Sequence, residues 1–354
     1  MKRILVDQND ITQVAVDEVP SEPLADGQAR LRIARFALTA NNVTYAATGF
    51  VIGYWHFFPS GITGQGIVPV WGFAEVVETR SDLVTVGERL YGFYPLAEEL
   101  VIAPTKEGEA VILDAAPHRA KLPPVYNRYV RSAPKSATQE GLQSLLQPLL
   151  ATSYLLSDWL QDNSFFDAEQ VVVGSASSKT GLGLCKFLAE LSPRPVRVVG
   201  LTSSGNKPFV AAEAGCDAVM SYDDIETLEK CPSVYVDMAG NAEVKARLHS
   251  HLGDQLRHSS AVGTSHWDQF QPKQKLAGPK PQFFFAPSQI EKRRADWGPG
   301  EIERRISAAW KRIAADAESW LTLREHAGLE AAVPVYTALA KGQAAPGDGH
   351  VVVI

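Results

Sequence analysis

From residue 170 onward the chain alternates short apolar runs with helical ones, and this alternation limits the fold more than any other feature. QVVVG (170–174) runs into the small residues SASS and then into TGLGLCKFLAEL. VRVVGL (196–201) precedes a helical stretch over 207–214, and DAVMSY (217–222) precedes a short one. SVYVDMAG (233–240) precedes a helix over 242–251, and LRHSSAVG (256–263) closes the series. Strands separated in this way by helices satisfy their backbone hydrogen bonds as a parallel sheet of βαβ units.

The preceding part has a different texture. QARLRIAR (28–35) alternates polar and apolar residues as a half-buried strand does, and strand patterns recur at 68–79, 87–94 and 99–103. Closely spaced strands predict a small barrel or sandwich. Residues 140–160 are leucine-rich and read as a helix interrupted by Pro148. Residues 264–300 are rich in Pro, Gly and aromatics, which suits a functional loop. An amphipathic helix is predicted over 301–321, with Ile302, Ile306, Trp310, Ile313, Ala317 and Leu321 on one face. The final PGDGHVVVI reads as a turn and a buried strand. A chain of 354 residues suits two or three domains, with divisions expected near 140 and 284.

Charge and cysteine usage exclude several functions. Lys and Arg total 34 against 40 Asp and Glu, the wrong balance for a dedicated DNA or RNA binder. The three cysteines, Cys185, Cys216 and Cys231, form neither a disulfide framework nor a zinc cluster, which suits a reducing compartment. The first residues carry no apolar run of signal-peptide length, and no stretch approaches the ~20 apolar residues of a spanning helix. The expectation is a soluble, cytoplasmic protein that acts on a small molecule, away from nucleic acid and membrane.

VVVGSASSKTGLGL (171–184) is the strongest constellation for a ligand. An apolar strand enters a small-residue turn and then a helix, whose N-terminal amides and positive dipole end suit a pyrophosphate. Ser177, Ser178, Lys179, Thr180 and Gly181 are the candidate contacts. Ser178-Lys179-Thr180 is part of a P-loop pattern, but residue 178 is not glycine, so an ATPase is rejected. Two readings stand for Lys179, a solvated loop charge or an extra cation beside phosphates. An NAD site places an acidic residue about 20 residues past such a turn, at the end of the second strand. No acidic residue occurs between Glu190 and Glu213. Thr202, Ser203 and Lys207 stand there instead, which suits a 2′-phosphate and hence NADPH.

In order and content these pieces resemble the medium-chain dehydrogenase/reductase superfamily. Residues 170–263 are similar to its Rossmann domain, and the closing YTALAKGQAAPGDGHVVVI is similar to its last helix and strand. Within it the chain resembles the zinc-free quinone and enoyl reductase branch. More narrowly, it is similar to a bacterial subfamily through ALTANNVTYAATG, YWHFFPS, PVYNRYVR, DMAGN, GTSHW and FFFAPSQIEKRRADWG. The resemblance implies an α/β fold, a Rossmann doubly wound parallel sheet plus a GroES-like β-barrel catalytic domain. It divides the chain into that catalytic domain (1–140), the Rossmann domain (141–284) and a C-terminal segment returning to the catalytic domain (285–354). It also implies NADP(H) and a homodimer, with Phe283–Phe285 at the seam. Two departures stand out. Ser175, Ser178 and Lys179 fall where the branch has glycines, with Gly181 alone matching. The cysteine ligands of the zinc-dependent branches are missing.

Without such a metal site, the charge that develops on a substrate oxygen during hydride transfer needs a hydrogen-bond donor. ALTANNVTYAATG (37–49) falls where the family lines its substrate cleft, which makes Asn42 and Tyr45 candidates. Tyr54 follows in the aromatic run 53–59. His266 and Gly263 follow the strand whose end approaches the nicotinamide in the family. His56, His118 and His350 read as structural or rim residues, and EKRR (291–294) as a solvated face. The leading expectation is a zinc-independent NADPH-dependent reductase of an enone, quinone or activated carbonyl. The alternatives are a non-catalytic NADPH-binding sensor or partner-binding protein and, third, an isomerase or lyase with bound cofactor.

Overall fold

In a computed structural model, residues 1–265 and 275–354 are described. They form two compact units. One comprises Met1–Leu145, Leu321–Ala344 and Asp348–Ile354, the other Leu146–Trp320 and Ala345–Gly347.

In the first unit, nearly all strand pairs are antiparallel. Its main sheet runs Thr322–Ala327, Asp348–Val353, Ala29–Leu38, Pro69–Thr79, Arg89–Pro95, Arg128–Arg131, Val111–Asp114, Pro104–Lys106. Glu99–Ile102 adds a further pairing to Ala29–Leu38. A small sheet joins Val14–Glu18, Lys2–Asp7 and Gln65–Gly66. The closing strand, read from the sequence, pairs with Ala29–Leu38 as well as with Thr322–Ala327. Alternate residues of the central strands, among them Phe36, Phe73 and Phe93, are fully buried.

In the second unit, a six-stranded parallel sheet runs Ala218–Ser221, Arg197–Thr202, Gln170–Gly174, Ser233–Asp237, Leu256–Ala261, Gln282–Phe283. Numbered along the chain this is 3-2-1-4-5-6, the Rossmann order. The order reverses between Gln170–Gly174 and Ser233–Asp237, whose last residues, Gly174 and Asp237, stand side by side. Val172, Val199, Leu201, Tyr235 and Leu248 are among the buried residues that pack its core.

Four expectations are corrected, for 285–320, for EKRR, for the helix over 301–321 and for the break at Pro148. Residues 285–320 were expected to return to the first unit but belong to the second. Arg293, on helix Ala286–Trp297, is bound at Nε by Asp158 at 2.6 Å, and Arg312 pairs with Glu190 at 2.5 Å. EKRR is therefore not a solvated face throughout, because Arg293 is buried against Asp158, Asp162 and Trp297. A buried cation is tolerated only when its charge and donors are met in this way. The helix predicted over 301–321 ends at Ala314, and a separate turn covers Ala317–Trp320. The leucine-rich helix, by contrast, runs through Pro148 as Ala137–Asp162. Among the described residues no helix is long and apolar enough to cross a membrane.

Acid should weaken the second unit. Burial lowers the affinity of His249 and His258 for a proton. His258 lies flat on Phe166, with ring centroids 4.1 Å apart. Both rings are held neutral in the fold, while the unfolded chain binds protons below about pH 6.5. Their contribution is complete above that pH and is lost as pH falls. The melting temperature should fall between about pH 7 and pH 5, and His258→Phe should flatten part of that slope. An unchanged slope in this variant would remove His258 from the explanation.

Candidate functional site

The ligand turn of the second unit begins where strand Gln170–Gly174 ends. Ser175 takes a left-handed backbone conformation (φ 51°), which is costly for a residue with a Cβ. The nearby Tyr222 phenol is pushed up to about 12 mainly by burial, an effect that Ser175 opposes. Ser178 caps helix Lys179–Ala189, its hydroxyl accepting from the Gly181 amide. A Cβ at residue 181 would lie 2.5 Å from the Ser175 carbonyl oxygen, so glycine is required there. This accounts for the one glycine that survives of the branch's usual set.

Ser177 ties this turn to the end of the second strand. Its hydroxyl receives hydrogen bonds from Thr202 Oγ1 (3.0 Å) and Asn206 Nδ2 (3.2 Å). Thr202 is buried, Ser203 is exposed, and Lys207 Nζ lies 3.9 Å from Asp224 Oδ2. Lys179 Nζ donates to the Pro346 carbonyl at 3.3 Å, and the Thr180 carbonyl accepts from Ser153. Across the strand reversal, Asp237 Oδ1 accepts from the Ala239 and Gly240 amides. The Gly263 carbonyl lies against Gly240. His266 lies outside the described residues.

In the first unit, the sequence candidates gather in an aromatic wall. Tyr45 sits on helix Ala40–Ala47, and its ring centroid is 4.4 Å from that of Tyr54. The Tyr45 hydroxyl accepts from Trp71 Nε1 at 3.2 Å, and the Tyr54 and Tyr126 hydroxyls share a hydrogen bond of 2.9 Å. Burial raises all three phenols above their ordinary range, so each stays protonated at neutral pH. Tyr45 and Tyr54 are 5% and 6% exposed, while Tyr126 reaches the surface more. Asn42 serves the fold. Its Oδ1 accepts from the Thr39 amide in a capping box, and its Nδ2 donates to the Pro69 carbonyl at 2.8 Å. His56 is exposed, and His118 contacts the Phe57 carbonyl. Trp55 fills a slot over Gly49 and Gly66, within the unit's own core.

Sequence reasoning missed the residues that hold this wall. Arg119 and Asp114 form an ion pair at 2.5 Å, with both side chains 1% exposed. Arg119 also donates to the Tyr129 hydroxyl (3.0 Å) and the Tyr126 carbonyl (3.2 Å), and Tyr129 donates to the Phe93 carbonyl. The guanidinium stacks on Phe58 at 4.8 Å. Trp71 was visible only as part of a strand pattern, and PVYNRYVR offered no reason for the place of Tyr126.

Removing one partner of this pair strands a buried charge. Arg119→Met should cost about 3–5 kcal/mol in a urea unfolding experiment, and adding Asp114→Asn should recover part of it. A single-variant loss below about 1 kcal/mol, the scale of an exposed pair, would show that the pair does not organise the unit.

Solved structures share this fold over the whole chain. CurA from Vibrio vulnificus, in complex with NADPH, has 13% identity and a TM-score of 0.63, covering 100% of this chain and 99% of that one. A quinone oxidoreductase of Pseudomonas syringae pv. Tomato DC3000 has 13% identity and a TM-score of 0.58, with 100% and 99% covered. The yhdH oxidoreductase of Salmonella enterica, in complex with NADP, has 15% identity and a TM-score of 0.53, with both chains covered completely. At these identities the likeness establishes the fold alone, a parallel sheet in one unit and a separate sheet in the other. No curated protein matches the sequence. Residues 36–345 match the family described as "Protein of unknown function (DUF2855)", and the chain belongs to that family.

Proposed function

We propose that the chain is an NADPH-dependent oxidoreductase that reduces an enone, quinone or related activated carbonyl without a metal. The observation that carries this reading is the reversal of strand order at Gly174 and Asp237, with the capped turn Ser175–Gly181 beside it. Open parallel sheets bind ligands at such a reversal. The bare Gly181 backbone and the helix N-terminus fit a dinucleotide pyrophosphate. Ser177, Ser178, Lys179, Thr180 and Gly181 would hold it, Gly263 would border it, and Thr202, Ser203 and Lys207 would face the 2′-phosphate. CurA and the yhdH oxidoreductase, which share the fold, were solved with NADPH and NADP.

Bound NADPH would supply a hydride. The chain's own part is to place donors at the substrate oxygen and keep them protonated. Tyr126 is the phenol with most access, and Tyr54 behind it completes a two-hydroxyl relay. Tyr45, which accepts from Trp71, retains its own proton to donate. The metal-free part of the reading rests on cysteine placement. All three cysteines lie in the second unit, so the 37–49 segment has no thiolate to offer. The deep burial of Tyr45 and Tyr54 favours one other reading, an NADPH-binding sensor that reduces nothing.

The two readings separate on turnover. With saturating NADPH, the enzyme reading expects cofactor oxidation with at least one quinone or enone. Tyr126→Phe should then lower kcat by about 10²-fold, the usual cost of losing one donor to a developing oxyanion, with NADPH affinity unchanged. Equal turnover by this variant would move the donor elsewhere. NADPH binding with no turnover across the panel would favour the sensor.

We also read the chain as a homodimer. Gln282–Phe283 is the edge strand of the parallel sheet, Phe283 is 51% exposed, and its ring stacks on Phe285 at 6.3 Å. An exposed apolar edge invites strand pairing with a second copy. Light scattering at micromolar concentration should give twice the chain mass, and Phe283→Lys should shift it toward the monomer. A wild-type monomer would contradict the dimer.

A further inference from the structure

We infer that Asp224 sets how strongly the second unit prefers a 2′-phosphorylated dinucleotide, by opposing the lysine that would bind the phosphate. The inference rests on the NADPH reading above and adds a determinant that works against it. The second strand carries no acidic residue at its end, but carboxylates arrive from the neighbouring strand. Arg197–Thr202 pairs in parallel with Ala218–Ser221, and Thr202 stands beside Ser221. The turns that follow the two strands therefore meet. Ser204 Oγ donates to Asp223 Oδ2 at 2.7 Å, and Lys207 Nζ lies 3.9 Å from Asp224 Oδ2. The same Asp224 oxygen accepts from Ser221 Oγ at 2.7 Å.

Lys207 thus enters the proposed site already facing a carboxylate. The Ser221 hydrogen bond, with a smaller contribution from Lys207, holds Asp224 below the usual carboxylate range, so it is ionised at neutral pH. A 2′-phosphate carries close to two negative charges at that pH. Beside Lys207 it gains attraction and meets repulsion from Asp224 and Asp223 together. The 2′-hydroxyl of NADH is uncharged, meets no such repulsion and can donate to a carboxylate. Asp224 therefore penalises NADPH and spares NADH. Lys207 and Asp224 are about half exposed, at 47% and 49%, so solvent and salt keep the penalty modest.

The test is a titration of the full chain with NADPH and NADH at low and high salt. Asp224→Asn keeps an oxygen for Ser221 and removes the charge. It should tighten NADPH by about 3- to 5-fold at low salt, less at high salt, and leave NADH unchanged. Lys207→Ala should weaken NADPH alone, and Asp224→Glu should keep the wild-type ratio. Loss of affinity for both cofactors alike in Asp224→Asn would make the residue merely structural and overturn the inference. So would an NADPH/NADH ratio that this variant leaves unmoved while the wild type binds NADPH. A wild type that binds neither nucleotide would bring down the cofactor reading itself, and the inference with it.

Discussion

A guanidinium with almost no solvent contact, Arg119, fixes the aromatic wall of the first unit. Removing an arginine and an aspartate from water is expensive, and only close geometry with further hydrogen bonds offsets it. Asp114 meets one Arg119 nitrogen and accepts the Ala103 and Ala116 amides. Arg119 then reaches the Tyr126 carbonyl and the Tyr129 hydroxyl, and its own carbonyl accepts from Asn127. The Arg119 bonds to Tyr126, Asn127 and Tyr129 all land on the short stretch 126–129. The place of Tyr126 against Phe93 and Tyr54 follows from that lattice. Mutual burial of the rings in turn raises the phenols and keeps them as donors.

In the second unit the turn after the first strand of the parallel sheet keeps its shape with few glycines. Ser175 accepts a left-handed conformation, while Gly181 supplies a close approach to the Ser175 carbonyl that no side chain permits. Other serines of the turn add side-chain contacts. Ser178 caps the helix, and Ser177 joins the turn to Thr202 and Asn206. Such a turn is preorganised, because its side chains are fixed before any ligand arrives.

The parallel sheet was legible because strand–helix alternation writes the burial pattern directly into the chain. Long-range polar pairing leaves no such trace. Nothing in PHR or VILD announces that Arg119 and Asp114 meet in the dry core. The proximity of Asp223 to Ser204 exists only once two strands lie in register. Arg293 sits in a run of charges that looks solvated, and its partners Asp158 and Asp162 are more than a hundred residues away. Asn42 has a structural use that its type and position did not announce. Both ends of its amide are used by the fold.

Hydride transfer from a nicotinamide to an activated carbonyl substrate, the function proposed for this chain, leaves an isotopic record. The most direct measurement uses NADPH carrying deuterium at the transferable C4 position, a quinone or enone acceptor that supports turnover, and mass spectrometry of the product. For an enone, hydride transfer requires one deuterium on carbon in each product molecule, drawn from the cofactor and from no other source. For a quinone, whose reduced oxygens exchange with water, it requires one deuterium lost from the cofactor per hydroquinone formed. Acceptor reduction without matching loss of cofactor deuterium, or cofactor that stays intact with every acceptor, would contradict it.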